Sequence, residues 1–219
     1  MRPYLNQRDY ENIQHGRFPS CGENNIPIIN PVKQFDGIES LEWMGWNVAR
    51  GIKDKKKRNG KAVHFFIDDY HFLCLWKTPY KYLDFLKCFN LVLSPDFSVY
   101  ADFPKAIQVY NHYRKHWLAA LWQSYGINVI PTVTWSDPST LDWAFDGEPR
   151  GGCVAISSYG MVKDPMYRSW LIDGYKEMSD RLSPSKILWI GEFVKELEPD
   201  IDKMIFIPSH VRKWREDSD

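Results

Sequence analysis

From residue 61 onward the chain is punctuated by apolar runs of strand length: VHFFI (63–67), NLVL (90–93), NVIPTVTW (128–135), CVAI (153–156), KILWI (186–190) and MIFI (204–207). None alternates polar with apolar residues, as a strand with one wet face would. Continuous apolar runs suit parallel strands covered on both faces. Pro131 inside the third run cannot donate to a ladder, so a bulge or an edge is expected there.

Helical patterns separate several runs. The clearest is 103–125, where Ala106, Tyr110, Tyr113, Trp117 and Leu121 make an apolar stripe. Asp102 is the expected cap, Pro104 fits the first turn and Gly126 can close the end. A second helix is expected over 165–182, capped by Asp164 ahead of Pro165 and stopped by Ser183-Pro184. A short helix is expected over 79–88. Residues 1–60 read as an irregular segment, with a strand at 26–30 and a helix over 39–52 on Leu41, Met44, Val48 and Ile52. Strand–helix alternation predicts one α/β domain over 1–219. Its core, at 61–219, is a largely parallel sheet of about six strands. Open sheet and reduced β/α barrel both fit.

Parallel strands end on one side, and α/β ligand sites lie at that rim. The residues following the runs are therefore a predicted pocket wall: Asp68, Asp69, Tyr70 and His71; Ser94 and Asp96; Trp135 and Asp137; Ser157, Ser158 and Tyr159; Glu192. Each alone reads as a turn or cap residue; Asp69, Asp96, Asp137 and Glu192 together read as a site. Carboxylates can act as general bases or stabilise an oxocarbenium-like transition state, and aromatic walls can hold a base. Asp69, Asp96 and Asp68 are the expected catalytic acids. Tyr70, His71, Ser94, Trp135, Asp137, Ser157, Ser158 and Tyr159 are the expected substrate contacts.

Composition narrows the partners. With 28 basic and 28 acidic residues the formal charge is zero, which argues against a broad nucleic-acid-coating surface. Two local basic segments remain: Lys55, Lys56, Lys57, Arg58 and Lys61 in one, Arg212 and Lys213 in the other. They are the expected DNA-backbone contacts. The cysteines Cys21, Cys74, Cys88 and Cys153 have no C-x-x-C spacing, so a reduced, cytoplasmic chain is expected. The first fourteen residues lack the apolar core of a signal peptide, and no run is long enough to span a membrane. P-loop, G-x-G-x-x-G, G-x-S-x-G and H-E-x-x-H signatures are absent. His112 and His116 have i, i+4 spacing without a clear third metal ligand in the sequence. No cofactor is expected, with Mg as the alternative, and the protein is expected to be a monomer with DNA as its partner.

The segments FIDDY (66–70), LSPDFSVYADFP (93–104), YRKHWLAALWQ (113–123), VIPTVTWSD (129–137) and FDGEPRGGCVAISSYG (145–160) resemble the domain-of-unknown-function 4417 family. That resemblance covers about 60–160. It implies a compact intracellular protein tied to phages and other mobile elements. A looser, fold-level similarity to uracil-DNA glycosylases lacks that family's G-Q-D-P-Y and H-P-S-P motifs. The resulting expectation is a hydrolase on DNA, a base-excising N-glycosylase with modified phage bases as candidate targets. The alternatives are a metal-dependent nuclease or phosphohydrolase, and a non-catalytic inhibitor or binding protein.

Overall fold

The computed structural model describes residues 17–32 and 37–208. A short antiparallel hairpin, β1 (Ser20–Cys21) with β2 (Ile26–Pro27), precedes seven parallel strands. These are β3 (Glu42–Gly45), β4 (Lys61–His64), β5 (Leu91–Leu93), β6 (Val129–Ile130), β7 (Cys153–Ser157), β8 (Lys186–Ile190) and β9 (Met204–Ile207). Each pairs with its neighbours in chain order within two sheets, β3–β6 and β7–β9. A parallel bridge between Thr132 and Ala155 joins the two. Pro131 marks the junction. β6 stops at Ile130, and Pro131 contributes only its carbonyl, 2.8 Å from the Ala155 N–H.

The seven-strand array curls. Trp43, Ala62, Leu91, Leu93, Ile130, Cys153, Ala155, Leu188, Ile190 and Ile207, which sample every strand, form one buried cluster. The opposite faces split between two other cores. Met44, Val63, Val92 and Val129 pack with Trp117, Leu118, Leu121 and Trp122. Val154, Ile156, Ile187 and Trp189 pack with Leu171, Tyr175, Met178 and Leu182. Unreversed strand order with a shared interior is the winding of a β/α barrel, not of a doubly wound open sheet. Among the described residues no ladder joins β3 to β9, so the barrel is a reduced one.

The helices are α1 (Trp46–Ala49), α2 (Leu73–Lys77), α3 (Leu83–Leu86), α4 (Lys105–Ser124) and α5 (Pro165–Leu182). α5 matches its expected range, and the Asp164 carboxylate accepts from the Met166 and Tyr167 N–H groups. The helix expected over 39–52 is instead a 3-10 turn, strand β3 and the four-residue α1. Its supposed stripe member Val48 is 53% exposed. Pairing of EWMG with KAVH overrides the local helical spacing, and the sheet therefore begins at residue 42, before the expected core boundary. The 79–88 helix shrinks to α3. In α4 the Asp102 expectation fails: Pro104 holds the cap position, with no side-chain cap bond. Ala106 and Tyr110 of the expected stripe are exposed. The first half of the helix buries Gln108, Asn111, His112, Lys115 and His116 instead.

Candidate functional site at the strand ends

The buried polar side of α4 has a structural task. Gln108 Nε2 donates to the Tyr100 carbonyl at 2.7 Å and Asn111 Nδ2 to the Ser98 carbonyl at 2.6 Å. The helix thus clamps the 94–100 segment that leaves β5. One turn on, Lys115 Nζ donates to the Thr132 carbonyl at 2.8 Å, just past the end of β6. Ser94 completes the seam. Its hydroxyl accepts from the Thr132 N–H at 2.8 Å, and its carbonyl accepts from Thr132 Oγ1 at 2.9 Å.

This frame holds two carboxylates. Asp69, in the 3-10 turn after β4, accepts from the Ser98 N–H at 3.2 Å and from Ser98 Oγ at 2.9 Å. Arg114 Nη2 lies 3.6 Å away. The Arg114 guanidinium is itself fixed 3.6 Å above the centre of the Phe97 ring, a cation–π contact. Asp96 accepts from Thr134 Oγ1 at 2.6 Å. Burial pushes its carboxyl up from 3.8 to about 6, and the nearby Asp69 charge adds to that rise. The Thr134 hydrogen bond and the Lys115 charge oppose it. A carboxylate poised near 6 can take up a proton near neutral pH, as an ordinary aspartate cannot.

The other expected site residues divide by position. Tyr70 is 70% exposed and its ring lies 4.1 Å from that of His71, while Tyr159 is 39% exposed. Ser157 accepts from the Tyr159 N–H at 3.2 Å, and Asp68 is exposed. Ser94 and Ser158 are buried ties: the Ser158 hydroxyl donates to the Glu192 carbonyl at 2.8 Å and links the β7 and β8 ends. The side chain of Glu192 belongs to an exposed residue. Trp135 is a core residue, packed with α5, and its indole N–H donates to the Trp170 carbonyl at 2.9 Å. Gly174 makes room for that ring, because a Cβ there would stand 2.0 Å from its Nε1. Asp137 accepts from the Ser139 N–H at 2.8 Å, an ordinary cap.

The basic segments stand apart from this rim. Lys55, Lys56 and Lys57 are exposed, but they precede β4, and Lys61 opens it. They therefore sit at the strand-starting end, while the carboxylates follow the strand ends. Four residues of strand separate the two by on the order of 13 Å. Lys61 pairs with Glu42. Arg58 is buried, its guanidinium 3.8 Å above Phe85 and hydrogen-bonded to the Ile52 and Lys53 carbonyls, so packing, not exposure, decides its position. Arg212 and Lys213 lie outside the described residues.

A second polar group lies behind the rim. Lys115 Nζ is 2.7 Å from Glu148 Oε1, and His116 Nε2 is 3.0 Å from the same oxygen. Burial favours neutral Glu148, but the Lys115 and His116 charges and hydrogen bonds outweigh it and hold the carboxyl below its ordinary value. His116 and Glu148 make, with His112, a group able to hold a metal ion. Glu148 was not evident in the sequence, because it lies far from the histidines along the chain. Gly147 permits its approach. Its φ of 77° is left-handed, and a Cβ there would stand 2.7 Å from His116 Nδ1.

A family model described as Domain of unknown function (DUF4417) matches residues 18–208. The "Gene 1 protein" of Mycobacterium phage L5 is 40% identical over 200 residues, covering 90% of this chain and 85% of that protein. The "Gene 1 protein" of Mycobacterium phage D29 is 37% identical over 174 residues, covering 80% of this chain and 63% of that protein. No solved structure matches. No helix among the described residues is long and apolar enough to cross a membrane.

Proposed function

The chain belongs to the DUF4417 family, and on that footing we propose that it is a hydrolase acting on DNA, cleaving the N-glycosidic bond of one base. The observation that carries this reading is Asp96: a carboxylate at a parallel-strand end, with its carboxyl raised to about 6 and Asp69 as a charged neighbour. Asp96 takes a proton from water as the water oxygen bonds to C1′. The C1′–N bond breaks, and the base leaves, protonated from solvent. Asp69 faces the positive charge that develops on the sugar, as carboxylates do in glycoside cleavage. Tyr70 and Tyr159 offer exposed rings on which an extruded base stacks, and the half-buried His71 ring lies beside Tyr70.

The phage source of the relatives supports a modified phage base as the target. The DNA backbone is met on the rim side by Arg50, Lys105 and Lys163, which are exposed; Arg50 Nη1 reaches the His71 carbonyl at 3.5 Å. The reading includes a cytoplasmic monomer, and four free cysteines support a reducing compartment. The test is to incubate the protein with plain and modified phage DNA and score the products. Abasic sites that break only on later alkali are expected. Direct strand breaks would instead indicate a nuclease, and intact DNA in every case would overturn the proposal.

A further inference from the structure

α4 presents His112 and His116 one turn apart, and the turn at 145–148 brings Glu148 against them. All three are buried, and one donor atom from each lies within 4.8 Å of the others. Each ring directs one nitrogen at a backbone carbonyl. His112 Nε2 is 2.9 Å from the Asp146 oxygen, and His116 Nδ1 is 2.9 Å from the Pro27 oxygen. A carbonyl oxygen only accepts, so both of these nitrogens carry protons. In a neutral ring the remaining nitrogen is then bare. That pattern, one N–H fixed on a carbonyl and the other nitrogen left as a lone pair, is how metal-bound histidines are oriented.

For His116 the bare nitrogen would be Nε2, 3.0 Å from Glu148 Oε1. Both atoms are acceptors, so a cation must join them: a proton or a metal ion. Glu148 Oε2 is buried without a hydrogen-bond partner, so the carboxylate has an unused acceptor. Lys115, bound to Oε1 and to Thr132, is a donor of the kind that supports a ligating carboxylate.

We propose that His112, His116 and Glu148 bind a zinc ion that pins the 145–148 turn to α4. Two imidazoles and a carboxylate suit zinc; magnesium prefers oxygen ligands alone. The site lies behind the rim and is independent of the glycosidic reading. The test uses untagged full-length protein, stripped of metal and titrated with Co2+ as a spectroscopic stand-in. One equivalent of Co2+ should give the visible bands of a four-coordinate ion, and Zn2+ should abolish them. His112→Ala and Glu148→Gln should each weaken binding by at least about tenfold. Because either variant can fail to fold, nitrogen NMR of the wild-type histidines supplies a second readout. Zn2+ should leave His116 with one protonated nitrogen. Folded wild-type protein that takes up no Co2+, or a His116 that stays doubly protonated with equimolar Zn2+, would overturn the proposal.

Discussion

Asp96 links burial and charge in one side chain. Its folded carboxyl titrates at about 6, against an ordinary 3.8. The folded state therefore holds that proton more tightly than the unfolded chain. The stability this contributes is fully present below about pH 4 and is lost as the pH rises through about 6. The difference corresponds to roughly 3 kcal/mol at most, since Asp96 is only partly hidden from water. Asp96→Asn removes the titrating group. Urea unfolding from pH 4 to pH 7 should show the variant gaining on the wild type by on the order of 2 kcal/mol. A constant difference across that range would contradict the environment described for Asp96.

At the scale of elements, α4 is the organising piece. Its first half buries polar groups that hold the 94–100 segment, the end of β6 and Glu148, while its second half buries Trp117, Leu118, Leu121 and Trp122 against the sheet. Lys115 bears the largest share, since it neutralises Glu148 at a site where neither side chain meets water. Removing one partner of a buried pair typically costs 3–5 kcal/mol. Lys115→Ala should lower stability by about that much in chemical unfolding, whereas an exposed change such as Lys105→Ala should cost less than about 0.5 kcal/mol. The helix's existence and its Gly126 end were legible from spacing and turn chemistry. Its buried face was not. Gln108, Asn111, His112 and Lys115 recur at helical spacing, but polar residues at that spacing read as a wet surface until the 94–100 segment and the 145–148 turn are folded over them.

Across the whole molecule, strand-length apolar runs were enough to indicate a parallel α/β core, and KILWI and MIFI are strands over their full length. Barrel and open sheet became distinguishable only with pairing order and the shared interior cluster, which depend on contacts between residues far apart in sequence. β3 escaped detection because EWMG has no apolar run of its own and takes its conformation from β4. The rim was legible as a list, and the structure sorts it: Asp69 and Asp96 share a frame, Trp135 is core, and Asp137 is a cap. The basic segment at 55–61 opens β4 rather than following a strand end. Reversing Lys55, Lys56 and Lys57 to Glu should therefore leave base release within about twofold of wild type, while Lys105→Glu and Lys163→Glu together should steepen its loss with added salt. Equal effects from both sets would show that DNA runs along the whole barrel.

The proposed base excision puts the chemistry on Asp96 at the strand-end rim. The most direct measurement is release of free base from modified phage DNA, followed by mass spectrometry from pH 5 to pH 8, for wild-type protein and for folded Asp96→Asn. Wild-type release should rise with pH through about 6 and level off, as Asp96 becomes the free base. Asp96→Asn should be slower by about 100-fold or more. Release that is unchanged in Asp96→Asn, or no base released by the wild type at any pH, would rule out base excision by Asp96.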